Sequence, residues 1–254
     1  MLTEKRQEEI AKLVQERESI TVQELKEIFQ ASESTIRRDI TALDKAGKLT
    51  KVFGGAIALN DSRIVKQELP VCQKQEMQIR EKMAIAKYAA SLIEANDCVY
   101  IDAGTTTSWM LGYIKEKEAT YVTNAVSHAK KLAEAGFHVI LIGGELKGST
   151  EAIIGAEAVL GVQKYHFNKG FFGTNGIHAK KGFTTPDINE ALVKQSAIRN
   201  TQLGNRFILG TGEKFGQVCA VTFSGFEGTV IVTEKVPEET FWEQLDIRCV
   251  SFEE

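Results

Sequence analysis

Six short apolar segments, separated by longer amphipathic stretches, run through residues 98–234. They are CVYIDAG, TYVTNA, HVILIGG, KGFFGTNG, RFILGTG and TVIVTE, and stretches such as SHAKKLAEA and DINEALVKQSAI lie between them. Apolar runs of this length are typical of buried strands, and the intervening stretches have helical spacing. Strands that alternate with helices predict a largely parallel sheet that is covered on both faces and binds ligands at the carboxyl ends of its strands.

Composition sets the scale of the fold and argues against several functional classes. With 254 residues and 43% hydrophobic content, the chain is long enough for one small and one medium domain. The formal net charge of −3 means that any nucleic-acid site is local. Four cysteines without a CxxC pair and four histidines without metal-ligand spacing argue against a metal site and a disulfide framework, and we expect no cofactor. The charged N-terminus and the absence of a long apolar run predict a cytoplasmic protein.

Three short helical patterns occupy the N-terminal part of the chain, the first over residues 3–17. Thr21 and Glu24 form a capping box for the second helix, and Ser32 is placed to cap the third, which Gly47 ends. So short a turn between the second and third helices predicts a helix-turn-helix. The apolar positions that predict a shared core are Ile10, Leu13 and Val14, then Leu25, Ile28 and Phe29, then Ile36, Ile40 and Leu43.

The face of the third helix opposite this core is short, polar and basic. The segment KLTKVFGGAIAL, which follows, has the pattern of a small β-hairpin, or wing. Residues 33–58 contain five Lys or Arg residues against three acids. A major groove admits one helix whose N-terminal side chains reach base edges while flanking cations hold phosphates. The residues predicted to bind DNA are Ser32, Ser34, Thr35, Arg37, Arg38, Thr41, Lys45, Lys48 and Lys51.

Arg37 has a second interpretation. Glu33 precedes it by four residues, so the two side chains are also suited to an ordinary ion pair on a solvated helix face. The tight turn, the small polar residues at the helix start and the wing favour a DNA-binding role for the helix. Arg37 itself stays open between the two roles.

The segment SESTIRRDITALDKAGKLTKVFGGA resembles the N-terminal winged helix-turn-helix of the DeoR family of bacterial transcriptional regulators. The family pattern is ST-x-RRD-x-x-x-L-x-x-x-G followed by a basic wing that ends in GGA, and the match is one of spacing as well as composition. In the family the wing usually reads Arg-x-His-Gly-Gly-Ala, whereas this chain has Lys51, Val52 and Phe53 there. The departure leaves the predicted fold intact and removes any wing contact by a histidine.

The segment DAGTTTS, residues 102–108, joins the first strand of the predicted sheet to a helical run that begins near Trp109. Backbone N–H groups at a helix start and threonine hydroxyls suit a phosphate. A threonine-rich helix start is equally consistent with a simple N-cap. Asn124, Gly143, Gly144 and the GTNG segment end the following strands, where a ligand of a parallel sheet is expected.

Two lysines add positive charge to this set. Glu190 and Lys194 in TTPDINEALVK share one helical face, where they are either part of a site or a surface i,i+4 salt bridge. Lys214 in GEKFG is a candidate point charge for a phosphate or a sugar hydroxyl. Phe171 and Phe172, inside a strand, are predicted core residues.

Residues 76–235 resemble the DeoR-type sensor domain, and through it the sugar-phosphate isomerase-like fold. The resemblance implies that the DAGTTT loop holds the phosphate of a phosphorylated sugar. Where many relatives have Ala-Asp-x-x-Lys, this chain has Gly210, Thr211 and then Lys214, so the carboxylate expected at position 211 is absent. The implied effector-binding residues are Asp102, Gly104, Thr105, Thr106, Thr107, Asn124, Gly143, Gly144, Gly173, Asn175, Glu190, Lys194 and Lys214.

We therefore expect a winged helix-turn-helix over residues 1–58, a linker over residues 59–75 and an α/β sensor domain over residues 76–254. The expected function is that of a non-enzymatic repressor of a sugar-utilisation operon, with operator DNA and a phosphorylated sugar as partners and a homodimer or homotetramer as the assembly. The segments TTPDINEA, TEAIIG and SEST resemble the fructose-operon branch, so fructose 1-phosphate is the first candidate effector and tagatose 6-phosphate the second.

The alternative is a sugar-phosphate isomerase or deaminase with an appended DNA-binding head. Such chemistry needs a positioned carboxylate as general base, for which Asp102 and Glu190 are candidates. The GTNG segment, where further acids are expected in an enzyme, has Thr174 and Asn175 instead. The regulator is the favoured hypothesis.

Overall fold

The computed structural model describes residues 3–17, 19–46, 48–52, 54–57, 63–64, 71–238 and 240–252. The chain divides into two compact units, residues 1–63 and residues 64–254. The predicted domain limits, 1–58, 59–75 and 76–254, differ slightly from this division and stay predictions.

The first unit is a small three-helix fold with a three-stranded sheet. Its elements are α1 (Thr3–Arg17), β1 (Ser19–Thr21), α2 (Val22–Phe29), α3 (Glu33–Lys45), β2 (Thr50–Val52) and β3 (Gly55–Ile57). The Thr21–Glu24 capping box and the Ser32 cap are both present, which confirms the two predicted helix starts. β2 and β3 pair antiparallel as the predicted hairpin, and β1 adds to the other side of β3. Gly47 and Phe53 lie outside the described residues.

The predicted core of this unit is largely confirmed. Ile10, Val14, Leu25, Ile36, Ile40 and Leu43 are all buried, and Leu13 and Phe29 pack against them. The prediction for Ile28 is wrong, because its side chain is 44% exposed. Ile20 and Leu49 occupy the core as well, since the short strands and the wing close over the helices.

The second unit is an α/β fold. The short strand β4 (Arg63–Ile64) includes the last residue of the first unit and the first residue of the second. The elements that follow are α4 (Val71–Gln75), α5 (Ile79–Ser91), β5 (Cys98–Ile101), α6 (Thr105–Met110), β6 (Thr120–Thr123), α7 (Val126–Glu134), β7 (His138–Leu141), β8 (Glu145–Lys147), β9 (Ala152–Ile154), α8 (Ala156–Val162), β10 (Lys169–Gly173), β11 (Gly176–His178), β12 (Gly182–Thr185), α9 (Ile188–Arg199), β13 (Arg206–Leu209), β14 (Gln217–Val218), β15 (Val221–Ser224), β16 (Thr229–Thr233) and β17 (Ile247–Cys249). Two 3-10 turns, Gly212–Lys214 and Trp242–Gln244, follow β13 and β16.

Seven parallel strands form the main sheet, in the spatial order β17-β16-β13-β10-β5-β6-β7. The six predicted strands are confirmed, and β17 is a seventh that the sequence analysis misses. From β5 the chain moves outward to β7 on one side and then returns to β10 on the other side of β5. The order reverses between β5 and β10, which is the switch point where such sheets bind ligands.

Successive strand residues face two separate apolar layers, as predicted for a sheet covered on both sides. Phe171 and Phe172 are both fully buried, which confirms them as core residues, yet they belong to different layers. Phe172 lies against Tyr100 at 5.5 Å between ring centroids, and Phe171 lies against Phe207 at 5.2 Å. Helices α8 and α9 cover the first layer, and α5 and α6 cover the second.

Three helices affect the shape of the site, and two of them differ from prediction. α6 begins at Thr105, not near Trp109, so the threonines form its first turn. In α5, Met83 is 36% exposed and Lys82 is buried. α4 lies within the predicted linker.

Candidate functional site

The outer face of α3 is exposed as the sequence predicts. Ser32, Ser34, Arg37, Arg38, Lys45, Lys48 and Lys51 are exposed, and Thr35 and Thr41 are partly exposed. The Ser32 hydroxyl lies 3.0 Å from that of Ser34 and 2.8 Å from that of Thr35, so the helix start is a small cluster of hydroxyl groups. This unit therefore presents polar and basic side chains on one helix and on the adjoining hairpin.

The two neighbouring arginines of α3 have different surroundings. Arg37 donates to Glu33 Oε1, with its two guanidinium nitrogens at 2.7 and 2.8 Å. Within the described part of the chain, no hydrogen bond or ion pair engages Arg38. The structure thus shows the ordinary ion pair for Arg37 and leaves the Arg38 guanidinium available to a partner molecule.

The hairpin is tied to α3 by two contacts of one lysine. Lys51 Nζ donates to Thr41 Oγ1 at 3.0 Å, and the Lys51 backbone N–H donates to Asp44 Oδ1 at 2.9 Å. The Thr41 hydroxyl in turn donates to the Arg37 carbonyl at 2.7 Å. The wing cation is thereby held beside the helix face rather than projecting away from it.

Asp39 has a structural role that the sequence analysis misses. Its side chain is buried and accepts hydrogen bonds from Arg6 Nε at 2.7 Å and from Gln7 Nε2 at 3.0 Å, which joins α3 to α1. The available signal was its spacing, because Asp39 follows Ile36 by three residues and precedes Leu43 by four and so lies on the apolar side of the helix.

A cavity of about 250 Å³ opens at the carboxyl ends of β5, β10 and β13. It is therefore centred on the switch point of the sheet. Its walls also include the end of α4, the start of α5, and α9. The lining residues are Lys74, Met77, Gln78, Lys82, Ala103, Gly104, Thr105, Thr106, Thr150, Gly173, Thr174, Asn175, Glu190, Lys194, Leu209, Gly210, Thr211, Glu213, Lys214 and Gln217.

Eight of the thirteen predicted effector-binding residues line this cavity. They are Gly104, Thr105, Thr106, Gly173, Asn175, Glu190, Lys194 and Lys214. The other five, which do not line it, are Asp102, Thr107, Asn124, Gly143 and Gly144.

Asp102, Thr107 and Asn124 support the loop from behind. The Thr107 hydroxyl donates to the Asp102 carbonyl oxygen at 2.7 Å and lies 2.9 Å from the Gly104 carbonyl oxygen. Asn124 Oδ1 accepts from the Ala103 N–H at 3.0 Å, and its amide donates to Ile153 O at 3.1 Å. These polar groups are satisfied within the protein, so they shape the cavity rather than face it.

Gly143 and Gly144 follow the edge strand β7, two strands away from β5. Gly144 has φ +144°, and a Cβ at that position would lie 2.7 Å from the Ile154 carbonyl oxygen. The need for glycine there comes from close packing against β9 and from the backbone conformation.

Three lysines concentrate positive charge at one end of the cavity. Lys82 is buried, Lys74 and Lys214 are partly exposed, and all three line the cavity. Burial, together with the charges of Lys214 and Lys74, lowers the pKa of Lys82 to about 8, and Glu81 opposes the shift. Burial and the charge of Lys74 also lower the pKa of Lys214. A pKa lowered by like charges means that these ammonium groups destabilise one another, and an anion between them would reverse that effect.

Asp102 and Lys194 form a buried ion pair beside the cavity. Lys194 Nζ donates to Asp102 Oδ2, and the same oxygen accepts from the Gly173 N–H at 3.0 Å. Burial raises the pKa of the Asp102 carboxyl, and Lys194 opposes the rise. Of the two alternatives for Glu190 and Lys194, the surface i,i+4 salt bridge is wrong, because Lys194 donates to Asp102 and Glu190 accepts from Lys147 and Thr150.

Glu190 is held by residues of the β8–β9 hairpin. Its Oε1 accepts from Lys147 Nζ at 3.0 Å and from the Thr150 hydroxyl at 2.7 Å. Lys147 also pairs with Asp187 at 3.1 Å, at the cap of α9. Glu190 thus lines the cavity as a carboxylate with fixed orientation.

Thr211 replaces the expected carboxylate without leaving a buried polar atom unpaired. Its side chain is buried, and the hydroxyl donates to Gln78 Oε1 at 2.7 Å. The cavity therefore has a neutral hydrogen-bonded pair, Gln78 and Thr211, next to its lysines.

The described residues contain no group of three or more His, Cys, Asp or Glu side chains placed to hold a metal ion. No helix among them has the length and apolar character needed to cross a membrane.

A winged helix-turn-helix unit joined to a doubly wound α/β unit with a cavity at its switch point defines a class of two-domain regulators. Residues 6–62 match the model of the DeoR-like helix-turn-helix domain, and residues 77–235 match that of the DeoR C terminal sensor domain. The chain belongs to the DeoR family.

Similar proteins extend over nearly the whole chain. It is 40% identical over 242 residues to the uncharacterized HTH-type transcriptional regulator FruR of Bacillus subtilis, which covers 95% of this chain and 94% of that protein. It is 35% identical over 238 residues to the lactose phosphotransferase system repressor of Staphylococcus aureus. The aligned residues cover 92% of this chain and 93% of that protein. Among solved structures, ribose 5-phosphate isomerase A from Neisseria gonorrhoeae aligns with a TM-score of 0.38 at 11% identity, over 53% of this chain and 52% of that chain. A likeness at this level does not bear on function.

Proposed function

We propose that the protein is a transcriptional repressor of a sugar-utilisation operon and that a phosphorylated sugar in the cavity sets its affinity for operator DNA. The observation that carries this proposal is the cluster of Lys74, Lys82 and Lys214 in a cavity of the unit that follows a winged helix-turn-helix. Glu213 is the only lining acid not bound to an internal partner among the described residues, so positive charge prevails at this end. A phosphate dianion is the ligand group that such a site favours.

Other lining residues suit sugar hydroxyl groups. Glu190 offers a carboxylate that Lys147 and Thr150 keep in place, and Thr106 and Asn175 also line the cavity. Fixed carboxylate and amide groups are the usual partners of hydroxyls. We propose fructose 1-phosphate as the first candidate and tagatose 6-phosphate as the second, on the basis of the fructose-operon-like segments in the sequence.

We propose that operator DNA is bound by the exposed face of α3 and by the wing. The predicted residues Ser32, Ser34, Thr35, Arg38, Thr41, Lys45, Lys48 and Lys51 form a polar, basic surface. Arg38 is the side chain best placed to reach base edges, because no internal partner occupies its guanidinium among the described residues. A two-fold assembly, a homodimer or homotetramer, would present two such helices to successive major grooves.

The enzymatic alternative has weaker support. Asp102 is 1% exposed and bound to Lys194, and Glu190 is bound to Lys147 and Thr150. Neither carboxylate has the freedom that a general base needs to take a proton from a substrate carbon. Turnover of a sugar phosphate by the purified protein would favour this alternative.

A DNA-binding titration tests the proposed function. The purified chain is titrated onto its own upstream region with and without fructose 1-phosphate, tagatose 6-phosphate and unphosphorylated fructose. We expect specific DNA binding whose midpoint changes with a phosphorylated sugar and not with fructose. DNA binding that no sugar phosphate alters would refute the sensor proposal and leave the DNA-binding proposal standing.

A further inference from the structure

Helix α4 contributes directly to the wall of the cavity. Lys74, in its last turn, lines the cavity, and so does Met77 just beyond it. Lys82 Nζ donates to the Lys74 carbonyl, so the buried lysine of α5 caps the C-terminal end of α4. An ammonium group has three donors, and one of them is used here, which leaves two for a ligand.

The Lys74 side chain brings a positive charge to a place where positive charge is already unfavourable. Its charge lowers the pKa of both Lys82 and Lys214. Without an anion, this repulsion opposes the position of α4 against the cavity. When an anion is bound, all three ammonium groups are attracted to it. Binding of the anion therefore favours the position of α4 against the cavity.

Gln78 separates α4 from α5 and suits a hinge. It is one of the few described residues other than glycine with positive φ, at 51°, a conformation that interrupts the helical path. Its side-chain oxygen accepts a hydrogen bond from the Thr211 hydroxyl, which anchors Gln78 to the segment after β13. Rotation about the Gln78 backbone would therefore move α4 relative to α5, whose buried residues pack on the sheet.

We propose that α4 is the element of the sensor that reads the ligand, with Lys74 closing on an anion held by Lys82 and Lys214. The inference rests on the proposed function and adds which element of the sensor domain responds to the ligand. Along the chain, α4 follows the DNA-binding unit and precedes α5, so the backbone that joins the two units passes through it. A ligand that fixes α4 therefore acts on the segment through which the two units are connected.

Amide hydrogen exchange of the full chain tests this inference, with fructose 1-phosphate, tagatose 6-phosphate and inorganic phosphate as probes and calorimetry to measure binding. In the wild type, a probe that binds is expected to slow exchange of residues 71–77 several-fold. In Lys74→Gln, the probe is expected to bind more weakly, to leave exchange of residues 71–77 unchanged at saturation and to lose its effect on operator affinity. Lys74→Arg keeps the charge and is expected to behave as the wild type.

Lys164→Gln is the matched control, since Lys164 is exposed and does not line the cavity, and its responses are expected to be unchanged. Probe binding with unchanged α4 exchange in the wild type would overturn this inference and leave the proposed function intact. A Lys74→Gln variant that folds and still shows full α4 protection would overturn it as well. If none of the three probes binds the wild type, the proposed function fails and the inference fails with it.

Discussion

Lys194 donates to Asp102 from α9 across the switch point, and both side chains are almost completely buried. The pair joins the end of β5 to α9, and the Gly173 N–H brings the end of β10 to the same carboxylate at 3.0 Å. These strand ends support the loops that line the cavity. The pair is therefore better understood as the support of the site than as a group that meets the ligand.

Removal of one partner of this pair is expected to destabilise the second unit strongly. Asp102→Ala leaves a buried ammonium without its counter-charge, which typically costs about 3–5 kcal/mol. Both tryptophans, Trp109 and Trp242, lie in this unit, so their fluorescence during urea denaturation reports its unfolding. The double variant Asp102→Ala/Lys194→Met is expected to lose less than the sum of the single changes. Additive losses would show that the two side chains are not energetically coupled.

Anion affinity is expected to fall as pH rises above 8. The pKa of Lys82 is about 8, so Lys82 is cationic below this pH and loses its charge above it, while the phosphate stays a dianion. A bound dianion raises the pKa of Lys82, so the affinity is expected to fall between the pKa of the free protein, about 8, and the higher pKa of the complex. Loss of one charged contact corresponds to about a tenfold weaker affinity, which calorimetry of fructose 1-phosphate between pH 7 and pH 10 measures.

Lys82→Arg is the control for this pH dependence, because arginine stays charged throughout the range. Its affinity is expected to change with pH only as far as Lys214, whose pKa is also lowered, contributes. A wild-type affinity that is constant across the range would contradict the placement of the anion beside Lys82.

The strands and helices could be read from the sequence because their apolar periodicity is local. The cavity lining could be read only in part, since strand order is not a local property. Gly143 and Gly144 look like site residues at a strand end, yet β7 is the edge strand and lies away from the switch point. Lys82 looks like an ordinary surface charge of a helix, and only the packing of α5 shows that it turns inward.

Arg38 and Arg37 are expected to differ in their effect on operator binding. Arg38→Ala removes a guanidinium without an internal partner among the described residues, so we expect at least about a tenfold loss of operator affinity. Arg37→Ala breaks an exposed pair with Glu33, and its effect is expected to be smaller. Gel-shift titrations compare the two variants, with sugar-phosphate binding as the control for folding. Equal losses would assign Arg37 to the DNA surface as well.

Asp39 is expected to affect DNA binding through stability alone. Asp39→Ala removes the contacts to Arg6 and Gln7 that join α3 to α1, which we expect to lower the stability of the first unit. Amide exchange in the three helices of the first unit measures the loss. Asp44→Ala is the matched control, because the exposed Asp44 carboxylate accepts the Lys51 backbone N–H at the wing rather than joining α3 to α1. Unchanged exchange in Asp39→Ala would contradict the structural role.

Thr106 and Thr107 are adjacent in α6, and their changes to alanine are expected to affect different properties, ligand affinity for Thr106 and stability for Thr107. Thr106 lines the cavity, and no hydrogen bond from the described residues engages its hydroxyl, so Thr106→Ala is expected to weaken sugar-phosphate binding about tenfold without loss of stability. The Thr107 hydroxyl is bound by the Asp102 and Gly104 carbonyls, so Thr107→Ala is expected to lower the stability of the second unit by about 1–3 kcal/mol. Calorimetry and urea denaturation of both variants separate the two effects. Wild-type affinity in Thr106→Ala would contradict the assignment of Thr106 to the ligand-binding wall, because its hydroxyl lines the cavity and no hydrogen bond from the described residues engages it.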